Sequence, residues 1–142
     1  MITVKHLLDR KGTQIFSVEP DDPVLEAIGI MAEHHVGALL VMRGAELVGI
    51  VSERDYARKV ILKDRSSAET PVWQIMSSPV TTVTPAHTVN QCMQIVTDQR
   101  VRHLPVVEAG TVVGVVSIGD LVKAVIEEQQ QQIEQLERYI TS

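Results

Sequence analysis

The chain has 142 residues, a formal net charge of −5 and 44% hydrophobic residues, which suits one compact domain or two tightly fused halves. Its Lys and Arg residues are scattered and only 3% of its residues are aromatic, which argues against nucleic acid as a main partner. The longest apolar run is too short to cross a bilayer, the N-terminus has no signal-peptide pattern, and a lone Cys92 is typical of a reducing compartment, so we expect a soluble cytoplasmic protein.

An internal repeat organises the chain. A shift of 65 residues aligns residues 18–61 with residues 83–126 without a gap, and the best match joins GIVSERD at 49–55 to GVVSIGD at 114–120. Two copies exclude a long solenoid or a propeller. One motif packed against its own duplicate predicts a pseudo-twofold axis, and any site that one copy forms at that axis should occur twice.

The first copy opens with a short strand ending at residues 17–18. We expect Asp22 to cap the next helix with Pro23 at its first position, because apolar residues then recur at helical spacing until about residue 34. Residues 36–42 form a continuous apolar run that is typical of a buried strand. A turn, a returning strand over residues 47–52 and a helix over residues 53–62 complete the copy.

The second copy follows the same order. Thr88 and Gln91 form a capping box that predicts a helix start. Strands are predicted over residues 104–108 and 111–117, and a last helix over residues 120–128. Each copy is therefore predicted to be β-α-β-β-α, and the fold class to be α/β (α+β) with tandem βαββα repeats.

These boundaries divide the chain into five segments. They are an N-terminal helix and linker over residues 1–13, the first repeat over 14–62, a polar linker over 63–77, the second repeat over 78–128 and a C-terminal helical tail over 129–142. Within the linker, Trp73 is expected to pack into the core.

The doubled segments resemble the CBS domain pair, or Bateman module, named after cystathionine β-synthase. The resemblance is carried by two hydrophobic-Gly-hydrophobic-hydrophobic-Ser-x-x-Asp segments, which end at Asp55 and Asp120, and by VRHLPVV at 101–107. It covers residues 14–128, and two such segments in register make it specific. The chain resembles small bacterial proteins that consist of a CBS pair and little else, so the resemblance implies a pseudo-twofold pair with a helical tail.

The resemblance implies adenosine-containing ligands, such as AMP, ADP, ATP or NAD, in clefts between the repeats. The carboxylates of Asp55 and Asp120 can accept two hydrogen bonds from a ribose diol. Ser52 and Ser117 lie where a strand ends and a helix begins, and hydroxyls with free backbone N–H groups suit a phosphate there.

By analogy with the family, each carboxylate acts with further residues. The Asp120 site would use Thr13, Gln14, Ile15, Val36, Gly37 and Ala38. The Asp55 site would use Ser78, Pro79, Val80, Val101, Arg102 and His103. Arg54, Arg102 and His103 supply positive charge for phosphates. Since Arg54 aligns with Gly119 and Arg102 with Gly37, we expect unequal sites, with phosphate charge favoured at Asp55.

Each of these residues also has a structural explanation. Ser-x-x-Asp at a helix start is a common helix cap. Arg54 alone suits a solvated side chain, and His103 suits a buried histidine whose hydrogen bonds are made to backbone. Cys92 lies on the inner face of a predicted helix, where a small buried hydrophobe is expected. The histidines have no ligand spacing, so no metal site is predicted.

The resemblance implies a regulatory module for signal transduction, such as energy sensing, which relays nucleotide occupancy to a partner protein in trans. No phosphate-binding, dinucleotide or nucleophile-elbow motif is present in the sequence, so we predict neither an enzyme nor a catalytic cofactor. The alternative is an assembly module that dimerises without a ligand.

The tail carries a short, partial heptad stripe. Ile126, Ile133 and Ile140 recur at intervals of seven, with Leu136 between them. Either the helix folds back on its own module or the stripe forms a dimer contact. CBS pairs often associate as dimers, so the resemblance favours a homodimer of unspecified geometry.

Overall fold

The structure is a computed structural model that describes residues 1–141. Two compact units make up the chain. The first unit is Gln14–Thr81, and the second unit combines Met1–Thr13 with the chain from Thr82 onward. Ser142, the last residue of the predicted tail, lies outside the described residues.

The first unit contains a three-stranded sheet in the order β1-β2-β3. Strand β1 is parallel to β2, and β2 is antiparallel to β3. Its elements are β1 (Ser17–Val18), α2 (Val24–His34), β2 (Ala38–Arg43), β3 (Glu46–Ser52), α3 (Glu53–Tyr56), a π-helical segment (Ala57–Ile61) and a 3₁₀ turn (Val72–Gln74). The predicted helix over residues 53–62 is thus present, but its second half widens to the π form.

The second unit contains an antiparallel hairpin, β4-β5, and three helices. Its elements are α1 (Val4–Lys11), α4 (Val89–Gln99), β4 (His103–Glu108), β5 (Thr111–Ser117) and α5 (Ile118–Thr141). The strand predicted before α4 is reduced to a single parallel bridge between Val83 and Val106. In the first unit, the Leu40 N–H donates to the Phe16 carbonyl at 3.2 Å, but the equivalent residue is Pro105, which has no N–H.

The predicted helix cap is present at α4 in the second repeat but not at α2 in the first. Thr88 caps α4, with reciprocal hydrogen bonds to Gln91 of 2.9 and 3.1 Å, as predicted. The predicted Asp22 cap on α2 is wrong, because Pro23 occupies the cap position and the Asp22 carboxylate accepts from the Glu19 N–H. The Val24 N–H, which a cap would otherwise help to satisfy, donates to the Thr70 carbonyl at 2.8 Å.

The segment before each repeat completes the core of the other repeat. In the first unit, Val72 and Ile75 are fully buried beside α2 and the sheet residues. In the second unit, Val4, Leu7 and Leu8 of α1 are buried beside α4 and the hairpin. Backbone hydrogen bonds fix both segments, including Val72 N–H to the Asp22 carbonyl and Val4 N–H to the His87 carbonyl, each 2.8 Å long.

The packing predicted for Trp73 is wrong, since half of this residue is exposed. Trp73 lies within the 3₁₀ turn, whose period of three residues places Val72 and Ile75 on one side and the residue between them on another. The smaller aliphatic neighbours therefore fill the core position that the sequence pattern assigned to the indole.

Candidate functional site

In the first unit, Ser52 and Asp55 form a reciprocal capping box at the junction of β3 and α3. Oδ2 of Asp55 accepts from both the backbone N–H and the hydroxyl of Ser52, each at 3.0 Å. The Asp55 N–H in turn donates to the Ser52 Oγ at 3.2 Å. This box fixes the rotamer of a carboxylate that is 14% exposed.

Lys59 forms an ion pair with the Asp55 carboxylate. Its ammonium lies 3.3 Å from Oδ1 of Asp55 and donates to the Ile75 carbonyl at 2.9 Å. The spacing of four residues brings the two side chains to the same face of the helix. Oδ2 of Asp55 therefore already accepts two hydrogen bonds and Oδ1 already lies beside a cation, all from its own unit.

The further predicted site residues of the first unit lie on several elements, and Gly37 is hydrogen-bonded to the residue after Ser52. The Gly37 carbonyl accepts from the Glu53 N–H at 3.0 Å. Ile50 and Ser77 exchange backbone hydrogen bonds of 3.1 and 2.9 Å, which anchors the chain just before Ser78, Pro79 and Val80. Arg54 is exposed. Val36, Gly37 and Ala38 lie just before or at the start of β2, and Gln14 and Ile15 lie before β1.

The second unit repeats the box with Ser117 and Asp120. Oδ2 of Asp120 accepts from the Ser117 N–H at 2.8 Å, and the Asp120 N–H donates to the Ser117 Oγ at 3.2 Å. The Ile118 N–H donates to the Arg102 carbonyl at 2.8 Å, which repeats the bond from Glu53 to Gly37. Asp120 is 26% exposed.

Lys11 forms an ion pair with the Asp120 carboxylate. Its ammonium lies 2.6 Å from Oδ2 of Asp120 and donates to the Val115 carbonyl at 2.9 Å. Burial alone would raise the pKa of Asp120, but the hydrogen bonds and charge of Lys11 and the hydrogen bonds of Ser117 outweigh it and hold that pKa below its ordinary value. Asp120 is therefore ionised at neutral pH.

A small cavity of about 130 Å³ borders this ion pair. Its lining is Leu7, Arg10, Lys11, Asp120, Lys123, Ala124 and Glu127. Ligand cavities for molecules of drug size have volumes of about 300 Å³ or more, so this cavity alone is too small to enclose a nucleoside.

His103 opens β4 and pairs with Ser117 across the hairpin. Its pKa is lowered, first by burial and then by the positive charges of Arg102 and Lys11, although Asp120 acts in the opposite direction. The imidazole is therefore neutral at pH 7. Arg102, its neighbour, is exposed, and Thr13 is exposed beyond α1.

The two lysines were missed in the sequence, and they do not occupy equivalent positions. Lys59 aligns with Ala124, and the residue 65 positions after Lys11 is Met76, so neither lysine has a counterpart in the other half of the chain. The spacing of four from Asp55 would have identified Lys59. Lys11 lies outside the aligned repeat and 109 residues from its partner, so no local pattern connects it with Asp120.

The structure corrects one reason for expecting phosphate at these helix starts. The amides of Ser52, Glu53 and Asp55 all donate within the first unit, and so do those of Ser117, Ile118 and Asp120 within the second. The capping role of both motifs is thus present. Phosphate recognition would depend on side-chain cations, and the ligand contacts of the predicted residues stay predictions.

Residues 1–141 offer no cluster of metal ligands, no reactive thiol and no membrane-spanning helix. No group of three or more His, Cys, Asp or Glu side chains is arranged to hold a metal ion there. Cys92 is fully buried, as predicted, and burial raises the pKa of its thiol to about 11. None of the helices in this part of the chain is long and apolar enough to cross a membrane.

Comparison with known proteins identifies the family. The sequence model of the CBS domain matches residues 4–62 and 72–127. The chain belongs to the CBS-domain family, as a pair of CBS domains, which defines a regulatory module.

The chain is similar to proteins from plants and bacteria. It is 45% identical over 125 residues to the mitochondrial CBS domain-containing protein CBSX3 of Arabidopsis thaliana, and the match spans 84% of this chain and 61% of that relative. A putative signal-transduction protein with CBS domains from Burkholderia ambifaria is 48% identical in structure-based comparison. Its TM-score is 0.86, with 89% of this chain and 96% of that chain covered.

A third structure shares the fold at lower identity. It is the CBS domain pair of protein MJ0100 in complex with 5′-methylthioadenosine and S-adenosyl-L-methionine. The TM-score is 0.79 at 22% identity, and the match covers 90% of this chain and 98% of that one. The family match and the Burkholderia ambifaria structure confirm the predicted α/β fold with paired CBS repeats.

Proposed function

We propose that this CBS pair binds adenosine-containing nucleotides at two sites, one at Asp55 and one at Asp120, and relays their occupancy to a partner protein in trans. The observation that carries the proposal is the recurrence of one arrangement in both units. Each unit has a largely buried carboxylate, fixed by the serine three residues earlier and paired with a lysine. A helix cap alone needs no lysine at the same carboxylate.

The carboxylates supply the ribose recognition. A carboxylate has about four acceptor positions, and in each box only some of them are used by Ser and Lys donors. A ribose diol can donate to the remaining positions with charge-assisted strength. Because the box fixes the side chain beforehand, little rotamer entropy is lost when the sugar binds.

The phosphates would be bound by side-chain cations, since the amides of residues 52, 53 and 55 in the first unit and of residues 117, 118 and 120 in the second are already engaged. Arg54 at the first site and Arg102 are the predicted cations, and Lys11 and Lys59 add an ammonium beside each carboxylate. His103 was also predicted to supply positive charge, but that part of the prediction is wrong, because its lowered pKa leaves it neutral at pH 7 and it would act on a phosphate only as a neutral N–H donor. Phosphate charge is still expected to favour the Asp55 site, because Arg54 aligns with Gly119 and Arg102 with Gly37.

The adenine contacts stay predictions by family analogy. They involve Ser78, Pro79, Val80, Val101, Arg102 and His103 for Asp55, and Thr13, Gln14, Ile15, Val36, Gly37 and Ala38 for Asp120. The ligands of protein MJ0100 both contain adenosine and lack phosphate, which supports the nucleoside as the common element. AMP, ADP, ATP and NAD are the ligands we propose for this chain.

Relay requires that the nucleotide bind one arrangement of the chain more tightly than another. The partner protein would then associate preferentially with that arrangement. Chemistry on the nucleotide is not part of the proposal, so a bound nucleotide should be recovered intact after prolonged incubation.

Isothermal titration of nucleotide-stripped protein with AMP, ADP, ATP and NAD tests the proposal. We expect at least one of the four to bind, and protein purified before stripping to absorb more at 260 nm than its single Trp and two Tyr allow. If the folded protein binds none of the four, the proposed function is wrong. Mass spectrometry of the bound nucleotide after incubation separates a sensor from an enzyme.

An assembly module is the second candidate function, and one observation favours it. Helix α5 presents large apolar side chains to solvent, including Ile126, Leu136 and Ile140. Such a surface suits association with another chain whether or not a nucleotide is bound.

A further inference from the structure

Helix α5 extends well beyond the core of its unit. It comprises 24 residues, Ile118–Thr141, and is therefore roughly 36 Å long. Leu121 and Ala124, in its first two turns, are buried, and Val125 packs against the same core. Every residue from 129 to 141 is exposed, so the second half of the helix is not stabilised by its own unit.

An apolar band runs along this helix, and we call it the α5 stripe. Its members and their exposed fractions are Val122 (41%), Ile126 (60%), Ile133 (47%), Leu136 (63%) and Ile140 (79%). Successive residues turn by about 100°, so all five lie within about 80° around the helix, on a different side from Leu121 and Ala124. The fold-back considered from the sequence is therefore wrong for the α5 stripe.

The α5 stripe has the spacing of a coiled-coil seam. Ile126, Ile133 and Ile140 take heptad position a, and Val122, Gln129 and Leu136 take position d. In an isolated helix, the apolar side chains of this seam would be exposed to water. Their exposure indicates that a second helix with a matching apolar pattern packs against α5.

The two ends of the α5 stripe are complementary in shape. At its start, Gly119 takes the preceding a position and has no side chain. A shallow groove that is wide open to solvent lies there, lined by Ile118, Gly119, Val122, Lys123, Ile126 and Glu127. At its other end, Leu136 and Ile140 project as knobs. A second copy that runs in the opposite direction brings the knobs of each helix to the groove of the other.

We propose that α5 pairs antiparallel with α5 of a second copy of this chain, about a twofold axis near residues 130–131. The layers would then join Val122 to Ile140, Ile126 to Leu136 and Gln129 to Ile133 of the second copy. Each layer occurs twice because a twofold interface uses the same surface on both chains. The proposal does not rest on the proposed nucleotide sites.

Charge distinguishes antiparallel from parallel pairing. Lys123 and Glu137 take heptad position e. In an antiparallel pair, e positions face e positions, so Lys123 of each chain meets Glu137 of the other. In a parallel pair, e faces g, where Ile118 and Gln132 offer no opposite charge.

The area suits a real interface. The five aliphatic side chains of each α5 stripe would bury on the order of 100 Å² each, which gives about 1,000 Å² for ten side chains. That total reaches the lower bound of specific protein interfaces, about 1,000 Å². Stems of the flanking Lys and Gln side chains add to it.

Sedimentation equilibrium of the full chain tests the pairing. Ile133→Glu with Leu136→Glu should weaken the association by about 100-fold or more, because four carboxylates would enter an apolar seam. Gln131→Glu with Gln135→Glu adds the same charge outside the seam and should leave association nearly unchanged. A monomeric native chain, or equal association of all three proteins, would overturn the proposal. Circular dichroism checks that each variant keeps its helix content.

Disulfide trapping tests the direction. The double variant Ile126→Cys with Leu136→Cys should form covalent dimers under mild oxidation, whereas neither single variant should. Cys92 can stay in place, since it is buried and its thiol has a pKa of about 11. Efficient dimers from each single variant would indicate parallel helices and overturn the proposal. Lys123→Glu should weaken association, and adding Glu137→Lys should restore it.

Discussion

The ammonium of Lys11 lies 2.6 Å from Oδ2 of Asp120, and that of Lys59 lies 3.3 Å from Oδ1 of Asp55. The two carboxylates occupy equivalent repeat positions, but their lysines do not. Lys59 follows its partner by four residues, whereas Lys11 comes from α1, ahead of the first repeat. Each unit thus pairs its carboxylate with a lysine, although the two lysines come from different positions in the fold. This recurrence is a stronger indication of shared chemistry than the repeated motif alone.

Removing the Lys11 ammonium should raise the pKa of Asp120. In Lys11→Met the hydrogen bond and positive charge are lost while burial, which raises this pKa, remains. Titration of the Asp120 carboxyl carbon by NMR measures the change. Lys123→Met removes a nearby charge without breaking this ion pair and serves as control. An unchanged Asp120 in Lys11→Met would contradict the assigned pairing.

The same substitution should cost little stability. The Lys11 side chain is 38% exposed, and ion pairs this accessible contribute about 1 kcal/mol or less to the free energy of unfolding. Urea unfolding at pH 7 provides the measurement. A loss of several kcal/mol would show that Lys11 has a packing role beyond the ion pair.

His103 should make the protein less stable in mild acid. Its folded pKa lies below 6.5, so as pH falls below about 6.5 the unfolded chain takes up a proton that the folded chain does not. The free energy of unfolding therefore decreases as pH falls from 6.5 toward the folded pKa. His103→Gln should remove this part of the slope. Urea unfolding of both proteins between pH 5 and 8 measures it, and parallel curves would contradict the prediction.

Gly114 is required by close packing against α1. A Cβ built at Gly114 would lie 2.6 Å from Cδ2 of Leu8 and 3.1 Å from its Cδ1. Gly114→Ala should therefore reduce the free energy of unfolding by about 1–3 kcal/mol. Leu8→Ala costs stability itself, but adding it to Gly114→Ala should cost less than the sum of the two single changes.

Gly29→Ala provides the matched control. Gly29 lies within α2, and an added Cβ meets no atom within 4 Å. Because Ala favours helix more than Gly does, this variant should be more stable by up to about 1 kcal/mol. If both glycine variants lose equal stability, steric contact with Leu8 is not the cause at Gly114.

Local patterns were enough to predict the elements that local chemistry determines. The Thr88–Gln91 capping box, the strand Thr111–Ser117 and the burial of Cys92 were all predicted from residues close in sequence. The first strand of the second repeat was predicted by symmetry and is reduced to a single bridge, because Pro105 lacks the N–H that its equivalent, Leu40, donates in the first unit.

The errors and omissions involve contacts distant in sequence. The Val24 amide donates to Thr70, so Asp22 does not have to cap α2. The 3₁₀ turn that exposes Trp73 is fixed by the segment packing on the first repeat, and Lys11 reaches Asp120 only because α1 packs in the second unit. The repeat alignment gave no information on α1, since α1 precedes the aligned residues.

Calorimetric titration with AMP, read as the number of nucleotides bound per chain, tests the central claim most directly. We expect two for the native protein, one each for Asp55→Ala and Asp120→Ala, and none for the double variant. Gln91→Ala removes the equivalent side chain from the α4 capping box and controls for the loss of a cap, so it should still bind two. Unchanged binding by both folded aspartate variants would contradict the account.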